Sequence, residues 1–174
     1  DALKPDLRSV ESFICLQKAD GAYWDDYETM IAQSDAGEPG IKILEEDVQS
    51  IIFTAGTTGR PKGAMRTHRH LMSDAFASAI DLKVDYDEKV LITFPMYHVA
   101  CEDNIVRHSL LSNTIYTKRE GGFNPPEVLE YIAKEKISRI QLVPTMIHSL
   151  IQVPDVSKYD LSSLKLILYA GSSM

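Results

Sequence analysis

The sequence predicts an α/β fold: a mostly parallel sheet with flanking helices. Short apolar runs at 48–54, 89–93, 137–143 and 164–170 have the length and the Val, Ile and Leu content of buried strands. Between them stand patterns with apolar residues three and four apart, the period of a helix that buries one face. Strands alternating with helices at this spacing imply parallel β-α-β units joined by right-handed crossovers. With 174 residues, 44% hydrophobic and 25% charged, the chain has material for one core.

The elements follow in order. Val10 to Leu16 reads as a buried strand, and Asp25 to Gln33 as a short helix with Tyr27, Met30 and Ile31 on one face. Ser34 to Gly40 is a connection rich in Gly, Pro and Asp. Val48 to Thr54 is a strand. Thr67 caps a helix from His68 to Ile80 with a stripe of Leu71, Met72, Ala75, Phe76, Ala79 and Ile80. Its first turn holds His68, Arg69 and His70, read as a solvated helix start rather than a metal pair. Lys89 to Thr93 is the next strand, a helix ends at Leu110-Leu111, and Thr114 to Thr117 is a short strand. Asn124 caps a helix with proline in its first turn, apolar at Val128, Leu129, Ile132 and Ala133. Lys134 and Lys136 stand near its C-terminus, where the helix dipole favours cations. Ile137 to Val143 is a strand, Pro144 opens a helix carrying Met146, Ile147, Leu150 and Ile151, and Leu164 to Ala170 is the last strand.

Ligands of open parallel sheets bind outside the carboxyl ends of the strands. Three small or polar loops are expected at those ends, on one edge: Thr54–Lys62, Pro95–Cys101 and Gly171–Ser173. The first lies within 53–63, where Ile51-Ile52-Phe53 run into Thr54-Ala55-Gly56-Thr57-Thr58-Gly59-Arg60-Pro61-Lys62-Gly63. No hydrophobic core needs that composition, whereas a loop that holds phosphate does. Glycine lets the backbone approach a ligand. Successive N–H groups form an anion-binding concavity, Thr hydroxyls add donors, and Lys62 adds a compact positive charge. It is not a Walker loop, because Pro61 stands where the second Gly belongs and Gly63 follows Lys62 in place of Ser or Thr.

Charge and composition exclude other classes. A net charge of −7 argues against a nucleic-acid partner. No apolar run is long enough to span a bilayer, and no signal peptide is seen. Cys15 and Cys101 fit neither a disulfide framework nor a paired metal motif, so a cytoplasmic setting is expected. His98, Cys101, Glu102, Asp103 and His108 match no standard zinc spacing, and no metal-binding residue is assigned. Gly171-Ser172-Ser173 does not supply a hydrolase elbow, which needs Gly-x-Ser-x-Gly. The ends at Asp1 and Met174 suggest one incomplete domain spanning 1–174, a piece of something larger.

The loop closely resembles the phosphate-loop signature of the adenylate-forming superfamily, which includes acyl-CoA synthetases, firefly luciferase and the adenylation domains of peptide synthetases. The family form reads Tyr/Phe-Thr-Ser-Gly-Thr-Thr-Gly-x-Pro-Lys-Gly, and Ala55 replaces its Ser. Pro95-Met96-Tyr97-His98 resembles the Pro-x-x-His segment of the acyl-CoA synthetase branch. Tyr169 to Met174 resembles the family's Gly-Ala-Ala-Pro-Met turn with Ser173 in place of Pro, and Cys101 stands near a usual Gly. Asp160 to Leu164 and Val143 to Met146 also match, so the likeness covers 45–174.

The resemblance implies part of the large AMP-binding N-terminal domain of an acyl-CoA ligase. Such an enzyme activates a carboxylic acid, here expected to be fatty, as an acyl-adenylate and transfers it to coenzyme A. It implies that Thr54, Ala55, Gly56, Thr57, Thr58, Gly59 and Lys62 hold the ATP phosphates. His98 is implied as the catalytic residue beside the carboxylate, and His98, Gly171 and Ser172 as lining the acyl and adenine pocket. ATP, Mg2+ with its ligand beyond Met174, and coenzyme A as co-substrate follow, with an isolated fragment inactive. The alternative from the residues alone is a non-catalytic nucleotide- or anion-binding module. Oligomeric state and acyl chain are not legible.

Overall fold

The computed structural model describes residues 7, 9–16, 25–54, 59–117 and 122–171. The chain divides into two units, Asp1–Lys42 and Ile43–Met174.

In the first unit β1 (Ile14–Cys15) pairs in parallel with β2 (Asp25–Asp26) and leads to α1 (Tyr27–Gln33). Asp26 caps α1, its carboxylate accepting from Thr29 N at 2.8 Å and Thr29 Oγ1 at 2.7 Å. Those bonds hold the Asp26 carboxyl below the ordinary carboxylate range. Among the described residues the strand expected over Val10–Leu16 is Ile14–Cys15 alone, and Leu16 is 78% exposed, because the partner strand turns into α1 at Tyr27 after Cys15 has paired with Asp26. The expected helix starts later because Asp25 and Asp26 are in β2.

The second unit opens with a hairpin. β3 (Val48–Thr54) pairs antiparallel with β4 (Lys62–Thr67), Phe53 opposite Gly63 and Thr54 opposite Lys62. A Cβ at Gly63 would lie 2.7 Å from Ile51 Cγ2, so only glycine lets the ribbon close there without a shift. β4 is absent from the sequence reading. Lys-Gly-Ala-Met-Arg-Thr carries no apolar alternation, and most of the strand is exposed.

α2 (His68–Asp81) follows directly. Thr67 and His70 form a capping box: Thr67 Oγ1 accepts from His70 N at 3.3 Å, and His70 Nδ1 accepts from Thr67 N at 3.4 Å. Only the Leu71–Ala75 side of the expected stripe is buried, while Phe76 is 55% and Ile80 76% exposed.

The rest is a four-stranded parallel sheet. Its elements are β5 (Lys89–Ile92), α3 (Val99–Ser109), β6 (Thr114–Thr117), α4 (Pro125–Glu135), β7 (Arg139–Leu142), α5 (Pro144–Ile151), a 3-10 turn (Val156–Lys158) and β8 (Leu166–Tyr169). The strand order is β6-β5-β7-β8. The chain steps outward from β5 to β6, then crosses back past β5 to β7. Right-handed crossovers therefore put α3 on one face and α4 and α5 on the other. Asn124 stands at the start of α4 without capping it, its amide donating to Glu127 Oε1 at 2.8 Å.

The pleat sorts side chains between the faces. Leu91 of β5 and Ile140 and Leu142 of β7 join Val128, Leu129, Ile132, Ile137 and Leu150 in the main core. Val90 and Ile92 point the other way, to Cys101 of α3. The same alternation puts Arg139 and Gln141 on the α3 face, where a buried polar network forms at the amino edge. Arg139 Nε pairs with Glu88, and its terminal nitrogens donate to Leu82 O at 2.8 Å and Lys83 O at 2.5 Å. Asn113 Oδ1 accepts from Glu88 N at 2.9 Å, which fixes the amide so that Nδ2 faces His108 Nδ1 at 3.1 Å. Burial, with Arg107 and Arg139 nearby and Glu88 opposing, lowers His108 from 6.5 to about 4. The neutral ring then accepts from Asn113.

Candidate functional site

Two stretches singled out by sequence follow strands of the parallel sheet. Residues 93–98 leave β5, and Gly171 follows β8, where Ala170 N donates to Leu142 O at 3.3 Å. Both are at the carboxyl edge. The third, Thr54–Lys62, was expected to follow a strand of the same sheet; it joins instead the two strands of an antiparallel hairpin, which among the described residues is not hydrogen-bonded to the four-stranded sheet.

At the hairpin tip Thr54 Oγ1 donates to Lys62 O at 3.4 Å, and Gly59 has φ +82°, a left-handed conformation that L side chains rarely adopt. Thr54, Gly59 and Lys62 are exposed. Ala55, Gly56, Thr57 and Thr58 lie outside the described residues, as do Ser172 and Ser173.

His98 stands at the N-cap of α3. Its Nδ1 accepts from Ala100 N at 3.1 Å, and its ring stacks on Phe94 with centroids 5.6 Å apart. With Nδ1 used as an acceptor, the neutral ring carries its proton on Nε2, on an exposed side chain. Cys101 falls inside α3 rather than in the loop expected over Pro95–Cys101. It is fully buried, its Sγ lies 3.4 Å from Met96 Sδ, and burial raises its thiol pKa.

An open cleft of about 1110 Å³ reaches this edge on the α4 side. Phe94, Met96, Phe123, Tyr131, Met146 and Tyr159 supply its apolar wall. Opposite the cleft, Asn104 Nδ2 donates to Gln141 Oε1 at 2.6 Å and to Ala100 O at 2.7 Å.

Arg66 joins the hairpin to the helix that His98 caps. Arg66 Nη1 meets Glu102 Oε2 at 3.2 Å and Nη2 meets Asp103 Oδ1 at 2.8 Å. Sequence reasoning missed this pairing, because nothing in the spacing of Arg66 brings it to α3. Among the described residues no three His, Cys, Asp or Glu side chains gather in a way that could hold a metal ion. Among them, also, no helix is long and apolar enough to cross a membrane.

The family model for AMP-binding enzymes matches residues 2–174. A feruloyl-CoA synthase from Amycolatopsis sp is 30% identical over 139 residues, covering 80% of this chain and 28% of the relative. Long-chain-fatty-acid–CoA ligase FadD13 from Mycobacterium tuberculosis is 28% identical over 139 residues, covering 80% and 27%. The chain thus spans under a third of the length of these relatives. The inhibitor-bound N-terminal domain of FACL13 from Mycobacterium tuberculosis superposes with a TM-score of 0.78 at 26% identity, covering 87% of this chain and 38% of that one.

Proposed function

The chain belongs to the AMP-binding enzyme family, and on that premise we propose that its protein is an ATP-dependent acyl-CoA ligase. A carboxylate attacks the α-phosphate of ATP, pyrophosphate leaves, and coenzyme A displaces AMP from the acyl-adenylate to give the thioester. The observation that carries this reading is the Thr-Ala-Gly-Thr-Thr-Gly-x-Pro-Lys-Gly segment spanning the tip of the hairpin, with Thr54 and Lys62 paired at its two ends.

Each residue then has a task. Pyrophosphate is a leaving group whose charge must be held. Lys62 and the Thr54 hydroxyl would face the β- and γ-phosphates, with Ala55, Gly56, Thr57, Thr58 and Gly59 offering backbone N–H groups. His98 would direct its Nε2–H at a carboxylate oxygen of the acid, holding it in line with the α-phosphorus. Gly171 and Ser172 would border the acyl and adenine groups. Mg2+ would be held with the ATP phosphates and would offset their charge; among the described residues no three His, Cys, Asp or Glu side chains gather around it.

The cleft beside Phe94 and Met96 gives room for an apolar substrate arm, which supports an apolar acid, a medium- or long-chain fatty acid first among them. The setting we infer is cytoplasmic. A piece ending at Met174 would not complete the reaction by itself.

The test is carboxylate-dependent ATP–pyrophosphate exchange by the native full-length product, over a panel of fatty, aromatic and short acids. Lys62→Ala should lower the ATP-dependent rate about 10- to 100-fold, the loss of one charge-assisted hydrogen bond of roughly 1.5–3 kcal/mol. An unchanged Michaelis constant for ATP together with unchanged turnover would remove Lys62 from the site. Saturable ATP binding with no exchange on any acid would favour a binding module instead.

A further inference from the structure

Arg66 stands four residues beyond Lys62 on β4, and Glu102 stands four residues beyond His98 on α3. Side chains alternate along a strand, so Lys62 and Arg66 share a face of the hairpin. The Arg66 side chain is 16% exposed, and its fork is split between two acidic partners, Glu102 and Asp103. A planar guanidinium bonded through both terminal nitrogens has little rotational freedom left. One turn further along α3, Arg107 Nε donates to Ser78 Oγ of α2 at 2.7 Å. The Arg66 grip connects the strand that leaves the phosphate loop to the first turns after His98.

We propose that Arg66 is a positioning residue: by gripping Glu102 and Asp103 it fixes the strand carrying Lys62 against the helix that His98 caps. The inference rests on the reading that Lys62 and His98 serve one reaction. It adds a reason why two groups on separate strand systems keep one geometry. Arg66 touches no substrate. Its removal leaves every phosphate and carboxylate contact chemically intact but lets the hairpin tip drift, and a drift of about 1 Å costs on the order of 100-fold in rate.

The experiment uses the native full-length product with Arg66→Met, Arg66→Lys, the Glu102→Gln/Asp103→Asn pair and the combination of that pair with Arg66→Met. Arg69→Met, which removes an exposed pairing with Glu45 and Glu46, is the control. Arg66→Met should lower kcat for adenylate formation about 10-fold or more while KM for ATP stays within about threefold, the signature of lost positioning. Arg66→Lys should recover part of it. The combined variant should be no slower than Arg66→Met, because the three side chains act as one unit. Without substrate, Arg66→Met should also speed amide hydrogen exchange in 62–67 and 98–103 together.

A kcat within twofold of wild type, an equal loss in Arg69→Met, or a lower melting temperature with exchange raised uniformly would overturn the proposal. Failure of the wild-type protein to adenylate any acid overturns the functional reading alone. The exchange measurement still reports whether Arg66 holds β4 to α3.

Discussion

Acid should weaken the fold through His108, and the size of the effect follows from its surroundings. The ring is 2% exposed, near the Arg107 and Arg139 guanidinium groups, with Asn113 Nδ2 at 3.1 Å from Nδ1. Each feature disfavours the imidazolium, so the folded group titrates at about 4 instead of 6.5. Between those values the unfolded chain binds a proton that the folded chain does not, so stability falls as pH falls. Linkage gives a loss of roughly 2 kcal/mol by pH 5 and about 3 kcal/mol by pH 4, with little further loss below. Carboxylates titrate in the same range, so the comparison is with His108→Asn, whose Oδ1 can still accept from Asn113 but takes no proton. Urea unfolding of both proteins at pH 7.5, 6, 5 and 4 isolates the term. The variant starts less stable at pH 7.5, and the gap should close by about 3 kcal/mol by pH 4. Parallel curves for the two proteins across that range would show that His108 titrates alike in the folded and unfolded chain and would refute the reasoning.

Two further outcomes concern buried groups. Arg139→Met leaves Glu88, 1% exposed, with Lys165 at 3.5 Å and Asp85 N at 3.3 Å, and strips Leu82 O and Lys83 O of donors. The loss should be about 3–5 kcal/mol in chemical denaturation, and adding Glu88→Met should return part of it, since an apolar pair strands no charge. Additive losses would refute that coupling. Of the two thiols, Cys15 should react with Ellman's reagent in the native protein, while Cys101, fully buried with its thiol pKa raised, should wait for unfolding. Two fast equivalents at pH 8 would place Cys101 at an accessible surface.

Much of the parallel sheet was legible because β5 and β8 are apolar runs, Ile137 to Val143 carries β7 within a largely apolar stretch, and α4 repeats its apolar residues at helical spacing. Val128, Leu129 and Ile132 are buried as the period required. β4 was not legible. A strand is recognised by one buried face, and Lys62 to Met65 bury neither, so the loop read as leading straight to a helix. That one omission also attached the loop to the wrong sheet: its flanking strands pair with each other and not with the parallel strands. The amino-edge network was hidden for a different reason. Arg139 and Gln141 alternate with Ile140 and Leu142, a pattern that by itself predicts a polar face open to water. Tertiary packing covers that face with α3 and makes the polar residues partner one another.

The contrast between the two ends of the sheet separates what folds the molecule from what serves a ligand. At the amino edge Glu88, Arg139, Asn113 and His108 are buried and each finds a polar partner, which is what a closed edge demands. At the carboxyl edge the chain does the reverse. Tyr97 is 91% exposed, Met96 and Pro95 are exposed with it, and His98 turns one nitrogen to its helix and leaves the other free of any fold-building bond. Folding gains nothing from large apolar side chains held in water beside a half-used imidazole. A site that closes over an apolar substrate does, and that edge is where open parallel sheets bind ligands. Arg66 extends the same logic to the hairpin. A charged side chain that is largely withdrawn from solvent and split between two carboxylates does little for net stability, since the desolvation it costs offsets much of the attraction. What it supplies is a fixed geometry between two elements that, among the described residues, share no backbone hydrogen bond, which the chemistry proposed for Lys62 and His98 requires.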